Sequence, residues 1–153
     1  MMATSKMSII SSHLNVIKRR LRFINKLLIA SLLTVGVINL VPVFGLFSSA
    51  HLNKAYGVAI SDPNMEILLR HRALLFGVLG GFVLASIVVP EWRLVALMMA
   101  GISMASFLLL VFRYDNNNVH LLKIAYVDIV GLVVWALAMA CVFESSRATQ
   151  AIQ

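Results

Sequence analysis

The sequence has few acidic residues. Six Asp and Glu stand against 13 Lys and Arg in 153 residues, and the first acid is Asp62. Charged residues make up only 12% of the chain, well below the roughly 25% of a soluble domain. There is one cysteine, Cys141. A single thiol excludes an intrachain disulfide and a Cys-x-x-Cys redox pair, and with them the four-helix disulfide-forming oxidoreductases of bacterial membranes. Inside its apolar run, Cys141 reads as a small packed or lipid-facing residue. The sequence also lacks a glycine-rich phosphate loop, a nucleophile elbow and a zinc-protease helix, so it carries no enzyme signature.

Apolar residues are abundant: 61% of the chain is hydrophobic and mean hydropathy is +0.94. That is more apolar surface than one soluble core at this length can hide, and a bilayer can face it directly. Four runs are long enough to cross a hydrocarbon layer of about 30 Å, which takes roughly 20 helical residues. They lie at about 27–47, 73–89, 94–112 and 121–143. Helices are expected because lipid offers no partner for open backbone groups, and the runs are too uniformly apolar for alternating barrel strands.

The cations are unevenly placed. Lys6, Lys18, Arg19, Arg20, Arg22 and Lys26 all precede the first run. Such a block is an orientation and membrane-surface signal. No aromatic platform accompanies it, so nucleic acid is not expected as a partner. With the N-terminus inside, eight cations fall on the inner side, including Arg93 and Arg147. Five fall outside: Lys54, Arg70, Arg72, Arg113 and Lys123. Both termini are therefore expected in the cytoplasm.

The leading segment, residues 1–26, lacks a convincing signal-peptide cleavage site and is read as retained; its Ser- and Arg-bearing, acid-free composition also fits a mitochondrial presequence. Ile10, Leu14, Ile17, Leu21, Ile24 and Leu28 recur at helical spacing. Lys18, Arg19, Arg22 and Lys26 lie beside that stripe. The pattern predicts an amphipathic helix on the inner leaflet, after which the chain turns into the bilayer. The same stripe would also suit docking on a partner protein.

The connections differ in kind. Pro90-Glu91-Trp92-Arg93 is a tight turn with Trp92 as an interfacial anchor. Asp115-Asn116-Asn117-Asn118 is a turn. The longest loop, 48–62, closes on Asp62-Pro63, an N-cap followed by proline at the first helical position, so the second helix is expected to start near Pro63. Residues 144–153 are expected to form a cytoplasmic tail.

Two constellations stand out. Ala73, Gly77, Gly81 and Ala85 form a small-xxx-small ridge, suited to close helix packing within one bundle or to a seam between copies. Ala96 and Ala100, with Gly101 and Ala105 beside them, form a shorter one. The second constellation is polar. Asp128 lies about two turns into the fourth run, and Asn39 should lie at similar depth. Glu66 and Arg70 form an i,i+4 pair at the outer end of the second helix. An intramembrane acid is costly unless paired, so Asp128 is expected to pair with an arginine, Arg70 being the nearest candidate, and Asn39 to join them. This is either a register-fixing ion pair or a small pocket open to the outer side. His13, His51, His71 and His120 all avoid mid-span depth, which argues against haem and gives only a weak metal pattern. A small multidrug-type exporter would need a carboxylate in the first run, which has none.

The stretch Leu68-Leu69-Arg70-His71-Arg72 through Gly81, then Pro90 and Lys123 to Asp128, resembles a group of small bacterial four-helix inner-membrane proteins, over about residues 50–143. Some of these carry the name phosphopantetheine adenylyltransferase, which does not transfer: that enzyme is a soluble nucleotide-binding α/β domain with a His-x-Gly-His type site. The resemblance implies four helices, a pairing of the Arg-His-Arg and Asp elements, and no activity.

The expected fold is thus all-α, a polytopic membrane four-helix bundle (27–143) with an N-terminal amphipathic surface helix, in the bacterial inner membrane or, alternatively, the mitochondrial one. The expected function is non-enzymatic: an accessory or structural subunit, or a binder of lipid or a small apolar ligand. The alternative is a small proton-coupled transporter using Asp128. Neither metal nor cofactor is expected. The expected partners are membrane lipids, with a homo-oligomer or a larger membrane complex as further options.

Overall fold

No glycine precedes Gly36 and no proline precedes Pro42, so the first 35 residues contain neither of the strong helix breakers. The computed structural model describes residues 2–114 and 118–150, and the side chains of 15–114 and 118–148 among them. In it α1 runs unbroken from Met2–Leu40. The expected turn between a surface helix and the first span is therefore absent. At 39 residues, α1 is about 58 Å long at 1.5 Å per residue.

The predicted stripe enters the core only from Ile24 onward, and Ile17 is exposed. Ile24 packs at the edge of the core, and Leu28, Leu32, Val35 and Asn39 follow on the same face, each no more than 2% exposed. Ile10 and Leu14 lie outside the described side chains. Lys18, Arg19, Arg22 and Lys26 are exposed, and Arg20 meets Glu144 at 3.3 Å.

α1 ends in a 3-10 turn, Val41–Leu46, with Pro42 at its start. The loop that follows contains a short helix, α2 (Ser49–Tyr56), capped by the Ser48 hydroxyl, which accepts from the Ala50 amide. Gly57 closes α2 at φ 63°, the left-handed conformation glycine adopts freely. A Cβ there would run into the His120 ring.

α3 spans Pro63–Ala85, starting where the sequence predicts: the Asp62 carboxylate accepts from the Asn64 amide at 3.0 Å. It stops four residues short of the predicted end, because 86–89 form a turn. Arg93 holds that turn by donating to the Ser86 and Ile87 carbonyls. Trp92 is exposed and stacks on Phe82 with ring centroids 5.5 Å apart.

α4 covers Arg93–Arg113 and α5 covers Val119–Gln150. The expected tail is thus largely a continuation of α5. Residues 115–117 of the expected Asp-Asn-Asn-Asn turn lie outside the described residues. Asn118 accepts from the Leu121 amide and donates to the Tyr56 carbonyl, both at 2.8 Å, tying the start of α5 to the end of α2.

α1 packs against α5 and α3, and α4 packs against α5. Neighbours run antiparallel: along α1 and α3, Gly36 lies by Leu84, Val43 by Gly77 and Gly45 by Ala73. The start of α1, the end of α5 and the α3–α4 turn therefore share one end, and α2 and the start of α5 share the other. The core joins Leu28, Leu32 and Val35 to Val83 of α3, Leu97 and Met104 of α4, and Ala138 and Cys141 of α5.

Four helices are long and apolar enough to cross a membrane: Asn15–Leu46, Pro63–Ala85, Pro90–Arg113 and Val119–Ala148. Only 17–33% of their most apolar windows is buried, so most of that apolar surface points outward.

The predicted small-residue ridge is only partly used. Ala73 is buried and Gly77 touches Val43, but Gly81 is exposed with open space around it. The closest approach between α1 and α3 is made instead by Gly80. A Cβ built there would lie 2.7 Å from the Leu40 amide nitrogen and 2.8 Å from the Gly36 carbonyl oxygen.

Candidate functional site

The polar residues collect at the end that carries α2. Arg70, on the second turn of α3, is fully engaged. Its Nε and Nη2 donate to Glu66 Oε1 at 2.9 and 2.7 Å, Nη1 donates to the Leu46 carbonyl at 2.6 Å, and Nη2 also reaches the Ser49 hydroxyl at 3.1 Å. Ser49 in turn donates to Glu66. The predicted i,i+4 pair forms, and it does more than pair: it ties the 3-10 turn, the start of α2 and α3 into one knot. The planar, rigid fork of arginine suits three acceptors at once. Replacing Arg70 by Met should loosen residues 46–56, seen as faster amide exchange and new protease cuts there, while α1 and α5 keep their protection. Lys should fall between, and an unchanged pattern in the Met variant would show that the knot is dispensable.

Arg70 is therefore not the partner of Asp128. The arginine acting on Asp128 electrostatically is Arg72. The two arginines stand two residues apart, roughly 200° around the helix, and so face different neighbours. Asp128 is 8% exposed, in the buried stripe of α5 with Ala125 and Ala138. Among the described residues, it takes part in no ion pair within 4.0 Å.

Asn39 is 2% exposed. Its Nδ2 donates to the Val35 carbonyl at 2.9 Å, and its Oδ1 is buried without a partner. Ile38, its neighbour, lies against Gly131 of α5, so Asn39 sits within about a turn of Asp128 in depth.

Arg72 has a different environment. Its guanidinium lies over three rings, 4.9 Å from Phe107, 5.3 Å from Phe76 and 5.7 Å from Tyr56. Such stacking favours a cation held away from bulk water. α3 and α4 pack much less extensively than the other neighbouring pairs, and their separation leaves a half-open cleft of about 640 Å³. It is lined by Arg72, Phe76, Ser103, Ser106 and Phe107 among others. A second cavity of about 450 Å³, under the 56–62 loop, shares Arg72 and Leu121 with it. Both volumes lie in the range of small-molecule sites. The cleft offers an apolar wall, a few hydroxyls and one cation.

Sequence reasoning singled out Asn39, Glu66, Arg70 and Asp128. It missed Arg72, Phe76 and Phe107. The available signal was their spacing: Arg72 and Phe76 are i,i+4 on α3 and share a face. His71 and His120 are both exposed. No family model matches the chain, and no curated protein and no solved structure matches it either.

Proposed function

We propose that this chain is a polytopic protein of the bacterial inner membrane, a four-helix bundle with both termini in the cytoplasm, that binds a lipid or small apolar molecule and catalyses no reaction. The observation that carries this is the α3–α4 cleft, with its aromatic and aliphatic wall and single convergent cation. Cavities of this size and lining are where small ligands bind. The orientation rests on eight cations on the inner side against five outside. In that orientation the cleft belongs to the outer leaflet. Membership of the small inner-membrane group that residues 50–143 resemble is part of the same proposal.

Ser103 lines the cleft on α4 and is partly exposed. Filling that position with Ser103→Phe should displace the occupant without touching the α1–α5 contact. Native mass spectrometry of protein extracted at low detergent should show the wild type carrying one tightly held molecule that the variant lacks. Equal retention by both would reject the cleft as the binding site. The same spectra report stoichiometry and any partner subunit.

A second reading, a small proton-coupled transporter, rests on the burial of Asp128, which has no ion-pair partner within 4.0 Å among the described residues. Proteoliposome flux with and without Asp128→Asn separates the two. A pH-driven flux abolished by the substitution favours transport.

A further inference from the structure

The two arginines of α3 differ in a way that defines a ligand. Arg70 spends its donors on Glu66, Ser49 and Leu46. Arg72 makes no hydrogen bond and no ion pair within 4.0 Å among the described residues. Its guanidinium carbon lies over the Phe107, Phe76 and Tyr56 rings, contacts that engage its charge and use none of its N–H donors. Those donors match an oxyanion, to which arginine donates two parallel hydrogen bonds. Arg72 also stands where the 640 and 450 Å³ cavities meet, so an anion bound there has room on both sides.

We infer that the α3–α4 cleft holds an anionic phospholipid, its phosphodiester on the Arg72 guanidinium and an acyl chain along Phe107, Leu110 and Val111. This rests on the binder reading above and names its ligand class.

Two features favour a lipid held by Arg72. The cleft is half-open and its wall includes Phe76, Phe107 and the strongly exposed Leu110, which is a surface for an acyl chain and not for a soluble ester. The cleft's hydroxyls are weak competitors, since Ser106 already donates to the Ser103 carbonyl at 2.9 Å.

The test uses the full-length protein in mild detergent, offered equimolar phosphatidylglycerol and phosphatidylcholine with identical chains, and reads bound lipid by native mass spectrometry. Both lipids carry the phosphodiester, so the preference comes from the choline ammonium, which would stand close to the Arg72 cation: the wild type should favour phosphatidylglycerol by about tenfold. R72Q should still retain lipid but show a ratio near one. R113Q, at the end of α4 outside the cleft, should behave as wild type. R72K keeps the charge without the planar fork and should keep the preference while retaining less lipid; R72M gives the same test as R72Q if R72Q does not fold.

Retention of lipid by the wild type with no headgroup preference would overturn this inference and leave the binder reading standing. Retention of neither lipid would remove the binder reading as well. An undiminished preference in R72Q would place the anion elsewhere. Displacement of the lipid by soluble glycerophosphoglycerol would show that the site takes a free phosphodiester, and would equally overturn it.

Discussion

Gly80→Ala should lower stability by about 1–3 kcal/mol, the usual cost of inserting a methyl group into a well-packed contact. The adjacent Gly81→Ala should leave stability unchanged or raise it, since alanine is the better helix former by up to about 1 kcal/mol. The two positions are neighbours on one helix with the same intrinsic preference, so the difference between them isolates the contact. A Cβ at Gly80 meets atoms of the α1 backbone, the Leu40 amide and the Gly36 carbonyl. Backbone in a helix cannot move aside as the end of a side chain can. The helices would have to separate, and α1–α3 packing would loosen along its length. At Gly81 nothing lies within 4 Å. Steric-trap or mild denaturant unfolding in detergent measures both variants. Equal effects at the two positions would mean that α1 and α3 do not meet at Gly80.

Asn39→Leu should raise stability, by about 1–3 kcal/mol, the range for removing a buried polar group that lacks a partner. Asn39 continues the stripe Leu28, Leu32, Val35 and is as buried as they are. Leucine has nearly the same branched shape and removes the unpartnered Oδ1. The bond that Nδ2 makes to the Val35 carbonyl is also lost, but that carbonyl remains within its own helix. The same unfolding measurement applies. A loss of stability instead would show that Oδ1 accepts a hydrogen bond in the working protein, from water or from a protonated Asp128 at similar depth.

The residues made much of the fold legible in advance. Four long apolar runs predict four long helices, and four are present. The start of α3 was readable from Asp62-Pro63, because a cap and a proline act locally and need no tertiary information. Helix ends were less visible. Ser86 to Val89 is as apolar as the helix before it, so hydropathy continues through a turn held by Arg93. The unity of α1 could be read only by following one stripe past the start of the apolar run, since hydropathy changes at Leu27 while the helix does not. At the site, depth could be read and direction could not. Asp128, Asn39 and the arginines of α3 were placed at one end by counting residues. Which arginine faces Asp128 depends on how α3 is rotated about its axis, and that is set by the Gly80 contact with α1. A ridge of four small residues suggests a different rotation, with Gly77 and Gly81 in the interface.

The unbroken length of α1 makes it a lever. With no glycine or proline before Gly36, no hinge residue separates the basic N-terminal half from the half that carries Asn39. A torque applied near Arg20, where the Glu144 contact already couples α1 to α5, turns the whole rod. Its far end carries Gly36 and Leu40, whose backbone meets Gly80 of α3, so a load on the cationic end is delivered to the tightest helix contact in the bundle.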